Sequence, residues 1–463
     1  MKRNCYSIAV AILCSCAALP AKAEGLAAGS PSFAGQEQDY MTGDWGGARD
    51  AMRAHGIEVG LNYASEAFGN LSGGVKSGWS YGGRVELSLD LDLEKLAGWQ
   101  GGSAHASGFQ IHHANGSPAV NYTGSIAGPS NIEARQSTRL FTLWLEQSFF
   151  NDALSIRAGQ LAADDEFMTS DTGAHLLNGT FGWAPIASAN MTGGGPAYPL
   201  ASPGLRVQIR PVQDVTILGA VFSGDPAGKN CFEDPQVCNR HGTAFSMSGG
   251  ALWMGELQYA LNQGEGATGL PGVYKIGAWY QNSRFADQRF GLDAGGLTVS
   301  LADPSVIEPY YHRGDKGIYA AADQTVWARG ARSLSLFSRV GAAPDDRNLV
   351  SFYVDGGLGL KGLIPEREND VLALGVAYSR ISGRAADLDR DTRVFDADPA
   401  FPVRNYEMVF EVSYTAQLTP WWSVQPDFQY IVHPGGHVRD ADDSAGRVAG
   451  NATVVGVRAN LTF

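Results

Sequence analysis

The chain is 463 residues long, 44% hydrophobic and 10% aromatic, yet only 17% charged, below the share of about 25% usual in soluble domains. Its formal net charge of −13 excludes a nucleic-acid partner, which needs a basic footprint. Beyond residue 23 nothing is both long and apolar enough to cross a membrane as a helix, and the length suits either two or three ordinary domains or one large all-β body.

Residues 1–23 read as a secretory signal peptide. Lys2 and Arg3 give the positive start, an apolar stretch runs from Ile8 to Leu19, and Ala21-Lys22-Ala23 puts small residues at the cleavage positions before Glu24. The apolar run is too short for a membrane anchor, and a lipoprotein processed within Leu13-Cys14-Ser15-Cys16 is the alternative. Cleavage removes Cys5, Cys14 and Cys16 and leaves Cys231 and Cys238 in 231-CFEDPQVC-238. In an exported protein, two close cysteines around a proline-containing turn predict a loop-stiffening disulfide; a metal site would need more ligands. Residues 24–56 form an N-terminal segment in which Asp44 is placed to cap a short helix over 45–55 and Gly56 to end it.

From residue 57 onward, strand-like runs follow at about 57–68, 83–93, 103–113, 139–150, 153–162, 204–212, 214–223 and 250–262. They continue at 272–282, 317–329, 332–341, 349–360, 370–381, 404–417, 421–432 and 450–463, sixteen in all. In 83-RVELSLDLDL-92, 205-LRVQIR-210 and 406-YEMVFEVSY-414 apolar and polar residues alternate as a two-faced strand requires. Tight turns at Asn151-Asp152, 211-PVQD-214, Gly330-Ala331 and Thr419-Pro420 take turns with long polar segments at 163–203, 224–249, 283–316, 382–403 and 433–449. Short turns on one side and long loops on the other describe a transmembrane antiparallel β-barrel. Its wet face would carry Arg84, Glu86, Asp90, Arg206, Gln208, Arg210, Glu407 and Glu411. Trp99, Phe149, Phe150, Tyr406, Trp421 and Trp422 would form interfacial girdles. The final run alternates Val455, Val457, Ala459, Leu461 and Phe463 with small or polar residues. A lipid-embedded sheet must close, because an open edge leaves N–H and C=O groups unpaired in hydrocarbon, so this strand is expected to pair with the first. The competing architecture, a soluble β-sandwich or propeller, would turn its apolar face inward.

Enzymatic motifs do not survive their context. The stretch 78-GWSYG-82 matches G-x-S-x-G, but a nucleophile elbow follows a strand and opens a helix, whereas Ser80 is expected in a glycine-rich loop ahead of strand 83–92. In 357-GLGLKG-362 the G-x-G-x-x-G pattern is followed by Leu363-Ile364-Pro365 rather than a helix, so its glycines are read as easing a strand into a turn. The acidic run 387-DLDRDTRVFDAD-398 spaces Asp387, Asp389 and Asp391 like a calcium loop, with Thr392 in place of the glycine and Asp398 in place of the bidentate glutamate. It is read as a solvated outer loop near divalent ions held by lipopolysaccharide. His112-His113 reads as a polar rim pair. No Ser/His/Asp set assembles on adjacent strands, and no cofactor or metal is expected.

The segments 42-TGDWGGARDAMRAHGIEVGLNY-63 and 90-DLDLEKLAGWQGGSAHASGFQ-110 resemble the carbohydrate-selective porins of the OprB family, over a similarity running from about Tyr40 to Phe463. The resemblance implies an outer-membrane β-barrel of about 16 strands over 57–463, preceded by a short periplasmic helix and enclosing a water-filled channel for passive uptake of small sugars. Its surroundings would be outer-membrane lipids and lipopolysaccharide. The terminal strand ending at Phe463 resembles the signal read by the barrel-assembly machinery. A general or anion-biased diffusion porin and an outer-membrane barrel enzyme stay as alternatives, and the sequence does not choose between a monomer and a homotrimer. A receptor with a plug would need more chain than 24–56 before the first strand.

Selectivity is expected where the loop from about Ala163 to Ser202 folds into a lumen that would otherwise be a wide aqueous channel. Asp164, Asp165, Glu166, Phe167 and Trp183 on that loop would face Arg84, Glu86, Arg157, Arg206 and Arg210 on the second, fifth and sixth strands. Sugar hydroxyls both donate and accept, so arginines mixed with carboxylates suit them. Trp144 or Trp183 would stack on a sugar's C–H face, and binding would stay weak enough for release.

Overall fold

The computed structural model describes residues 39–463 except 115–118, 229, 265, 441, 442, 444 and 445; the signal peptide and its cleavage positions lie outside the described residues. The strands are β1 (Ile57–Gly74), β2 (Gly78–Asp92), β3 (Gly102–Ala114), β4 (Ser137–Phe149), β5 (Leu154–Leu161), β6 (Ser202–Val212), β7 (Val215–Ser223) and β8 (Ala251–Leu261). There follow β9 (Gly272–Asp293), β10 (Thr298–Ser300), β11 (Val306–Arg329), β12 (Arg332–Ala342), β13 (Val350–Lys361), β14 (Val371–Ile381), β15 (Tyr406–Thr419), β16 (Trp422–Val432) and β17 (Gly450–Thr462). Three-residue β10 pairs only at the tip of the hairpin formed by β9 and β11, which pair directly with each other. The remaining sixteen form one antiparallel ring in chain order, with β17 returning to β1.

Alternation decides which face of each strand meets lipid. On β2, Leu87 is 56% exposed and points outward, while Arg84, three residues earlier and so on the opposite face, is 5% exposed and points into the lumen. The same outward band carries Leu143, Leu145, Trp253, Ile276, Ile318, Val376 and Phe428 around the ring. Large apolar side chains outside and charges inside is the reverse of a soluble sandwich, and it fits a barrel bathed in hydrocarbon. No helix among the described residues is long and apolar enough to cross a membrane.

The first and last strands are fastened to each other at the seam. Asn62 is opposite Thr462 and Glu66 opposite Arg458 in the β1–β17 register, and Arg458 Nη2 lies 2.8 Å from Glu66 Oε2 inside the lumen. Ahead of β1, the turn Trp45–Gly47 leads into a helix at Ala48–Ala54. Asp44 Oδ1 accepts from Asp50 N at 3.2 Å, and the chain leaves the helix through Gly56 at φ 84, close to the expected cap and stop. Arg49 is the buried residue of this helix. Its Nη2 donates to the Phe463 carbonyl at 2.8 Å, and its guanidinium sits 3.8 Å from the Tyr40 ring centroid and 4.2 Å from that of Trp45. The helix therefore clamps the last strand at the end of the barrel where the turns are short.

Several expectations need correction. The segment 283–316 is not a loop: β9 and β11 run on through it as a paired hairpin. Ser80 lies inside β2, buried, rather than in a loop ahead of it. The acidic run is not a solvated loop but part of a helix, Gly383–Phe395. Helical spacing sends Asp387 and Asp391 to one side, where both pair with Arg289, and Asp389 to another, where it pairs with Arg404. Strand geometry would have let the three carboxylates converge; a helix disperses them. Of the girdle residues, Trp421 lines the lumen mouth, while Phe149 and Phe150 are exposed. Cys231 and Cys238 are joined, with Cα atoms 5.8 Å apart.

Candidate functional site

The lumen is crossed by the chain between β5 and β6, and the way it is held defines the passage. A loop inside a barrel has no ladder partner for its backbone, so its N–H and C=O groups need side chains. Carboxylates on the far wall supply them. Glu256 on β8 accepts from Met168 N at 2.9 Å, Asp323 on β11 from Thr172 N at 3.0 Å, and Glu411 on β15 from the backbone N–H groups of Leu177 and Asn178. Arg339 on β12, paired to Asp355 at 2.6 Å, donates in turn to the carbonyls of Met168, Gly182 and Thr180. The wall is pared down to receive the loop's apolar side: a β-carbon at Gly375 would overlap Leu176 and Phe181.

A second inward segment, which sequence reasoning did not single out, lies between β3 and β4. Ile126 N donates to Glu407, Ser130 Oγ to Glu66, and Asn131 N to the Leu177 carbonyl at 2.7 Å. Glu407 and Glu411 thus hold loops rather than line open water. Glu133 belongs to the same segment. Its Oε1 accepts from Val120 N at 2.9 Å, and burial pushes its pKa up to about 8.

With the wall from β8 to β12 covered, the passage runs between β1 to β5 on one side and the short-turn ends of β14 to β17 on the other. A cavity of about 590 Å³ opens there, reaching from the inward loop to the end where the turns are short. Arg84 and Glu86 on β2 face it as an ion pair at 2.9 Å, with the Arg84 guanidinium 4.7 Å from the Phe109 ring centroid. His105 on β3 is hydrogen-bonded to Asp90 at 2.6 Å. Trp144 on β4 is flanked by neighbours from both sides: the His105 ring stacks at 5.1 Å, and the Arg157 guanidinium lies 3.9 Å from its centroid. The indole therefore offers the cavity an edge, not the open stacking face expected from sequence.

Beside it two arginines and two glutamates form a closed set. Glu146 Oε2 accepts from Arg157 Nη2 at 2.5 Å and Arg206 Nη2 at 3.1 Å; Glu166 takes Arg206 Nε at 3.0 Å and Arg157 Nη1 at 3.5 Å. Burial alone would raise the Glu166 carboxyl, but the Arg206 and Arg157 guanidiniums outweigh it and hold it below the ordinary range. Glu146 was absent from the sequence reasoning. Its signal was present: counted back from the Asn151-Asp152 turn, the hairpin register sets Glu146 opposite Arg157, on the same face as Trp144.

The other residues singled out from sequence fall as follows. Asp165 and Glu166 line the cavity. Asp164 instead accepts from Tyr198 N at 3.0 Å and braces the loop. Phe167 is 1% exposed, packed near Phe222, and is an anchor rather than a lining residue. Trp183 donates to the Gly194 carbonyl at 2.9 Å within the loop's own fold. Arg210 lies further along β6, where the Gln208 amide oxygen, turned toward it, accepts from its guanidinium at 3.2 Å. Apolar loop residues were drawn to the core of the plug because a segment in the lumen needs its own hydrophobic anchor. His112 and His113 meet Tyr63 Oη at 3.2 Å and the Ala134 carbonyl at 2.5 Å. Among the described residues no group of three or more His, Cys, Asp or Glu is placed to hold a metal.

The model of the family described as carbohydrate-selective porin, OprB family, matches residues 76–463. The chain belongs to this family. Porin B of Pseudomonas aeruginosa is 28% identical to this porin over 478 aligned positions, covering 96% of each chain. The high-pH structure of Pseudomonas putida OprB superposes with a TM-score of 0.79 at 24% identity, covering 92% of this porin and 99% of that chain. Its low-pH structure gives a TM-score of 0.54 at 20% identity, with the same coverage. The porin resides in the bacterial outer membrane, its short turns periplasmic and its long loops outside.

Proposed function

We propose that this porin lets small sugars pass down their gradient across the outer membrane, and that they are recognised where Arg84, Glu86, His105 and Arg157 on the wall face Glu166 on the inward loop. The observation that carries this reading is charge pairing in the wall: Arg84 with Glu86, and Arg157 and Arg206 with Glu146 and Glu166. Such a wall is rich in donors and acceptors yet close to neutral, so it offers a polyhydroxyl solute replacements for water's hydrogen bonds without favouring either sign of ion. A channel biased to anions would present cations without carboxylate partners.

One chain encloses one channel, so transport needs no second copy, and a homotrimer would be three channels side by side. Residues 1–23 direct export, the strand ending at Phe463 is read by the assembly machinery, and no catalytic step is assigned to the chain. The test is liposome swelling with a mono- and a trisaccharide. Replacing the loop's inner part, residues 171–196, by a short Gly-Ser linker should raise conductance and erase the preference for the smaller sugar. If both stay at the wild-type level, the inward loop is not the selectivity element.

A further inference from the structure

The outward side of the β9–β11 hairpin changes character as it leaves the hydrocarbon. Along β9 the outward positions are Tyr274, Ile276, Ala278, Tyr280, Asn282 and Arg284, with Ile276 62% and Tyr280 47% exposed. Trp253 on β8 and Lys316 on β11 are register partners of Tyr280. An aromatic pair and a lysine in one row mark the outer edge of the apolar band. Four residues further out, roughly 13 Å along the strand, Arg284 stands directly opposite Arg313, both exposed. This is the level of the lipid headgroups.

Like charges directly opposite one another destabilise an antiparallel pair. Among the described residues neither guanidinium nor the Lys316 ammonium has a carboxylate within 4.0 Å; Arg284 rests instead 4.4 Å from the centroid of Tyr311. A bulge turns the three cations to one face. In an unbroken strand residues three apart face opposite ways, but the register shifts between Arg313 and Asp315, with Gly314 at φ 74. Arg313 and Lys316 are thereby both turned to the lipid side. A β-carbon at Gly314 would stand 2.8 Å from Tyr280 Oη, so the phenol lies across the bulge beside them.

We propose that Arg284, Arg313 and Lys316, with the Tyr280 hydroxyl, bind the phosphate groups of lipopolysaccharide in the outer leaflet. The inference rests on the outer-membrane placement of the barrel and not on what passes through its lumen. Facing guanidiniums offer planar donors to phosphate oxygens, and the ammonium adds a point charge. The anion removes the repulsion across the strand pair. On a chain with a net charge of −13, the patch is a local site for an anionic glycolipid that the rest of the surface would repel.

The test is native mass spectrometry and titration of the detergent-purified full porin with bis-phosphorylated lipid A and with the same glycolipid after removal of its phosphates. Wild type should retain the phosphorylated form. The double variant Arg284→Gln/Arg313→Gln should bind it roughly tenfold or more weakly, as expected when charge-assisted contacts are lost, with sugar flux unchanged. Wild type should bind the dephosphorylated form no better than the variant binds the phosphorylated one. Equal binding of both glycolipids by wild type, or undiminished binding by the variant, overturns the assignment.

Discussion

Glu146→Gln keeps the volume of the side chain and an acceptor oxygen while removing one charge from the set beside the channel. That set has two arginines, 157 and 206, and two glutamates, 146 and 166; the variant leaves two positive charges against one negative, a net of +1. Breaking a buried ion pair typically costs ~3–5 kcal/mol. Because Glu166 still contacts both guanidiniums, the expected destabilisation is at or below ~3 kcal/mol, with the barrel still folded. The sharper readout is ion preference. In a planar bilayer with a salt gradient, the reversal potential of the variant should move toward anion selectivity. The displacement should be largest near 0.1 M salt, where the screening length is about 10 Å, and should fade near 1 M, where it is about 3 Å. A folded variant with the wild-type reversal potential at 0.1 M would show that this set does not face the conducting path.

Arg49→Ala removes a charge-assisted bond to the Phe463 carbonyl, worth ~1.5–3 kcal/mol, and should lower the temperature at which the compact band disappears in heat-modifiability gels. Glu133 has its pKa raised from 4.5 to about 8, so the docked segment holds its proton more tightly than the free chain does. Docking of 119–136 should be strongest below about pH 4.5 and weaken progressively up to about pH 8. Hydrogen exchange of those amides, corrected for intrinsic rate, should show that slope in wild type and a clearly shallower one in Glu133→Gln, where Glu407 still holds Ile126 N. Replacing Cys231 and Cys238 by serine should raise exchange across 231–242 and around Arg135, which is held by Asp234 at 2.8 Å, and leave the barrel's thermal stability in place.

The strands were legible because period-two alternation is a local property, visible in 83-RVELSLDLDL-92 without any partner. Closure followed from the physics of an edge in lipid, and the inward course of the β5–β6 segment from its length and the need to narrow a wide ring. What stayed hidden depends on contacts far apart in sequence. Nothing near Glu411 says that it will accept from Leu177 and Asn178, 234 and 233 residues away. The segment 119–136 carries no bulky acidic signature, so its descent beside the larger loop could not be read from composition. The helix at Gly383–Phe395 was misread because its aspartates match a calcium loop in spacing, while Ser382, which accepts from Ala385 N, is an N-cap signal that was overlooked. Trp144 was read as a stacking platform from its identity alone; the His105 ring beside it and the Arg157 guanidinium over its ring decide otherwise.

The measurement that tests the account most directly compares three solutes of equal size in liposomes holding the wild-type porin: a neutral hexose, the matching sugar carboxylate and the matching amino sugar. A wall of paired charges predicts that the neutral hexose enters fastest and that both charged solutes are slowed. Entry of the carboxylate as fast as the hexose, or faster, would contradict the account and make this a channel biased toward anions.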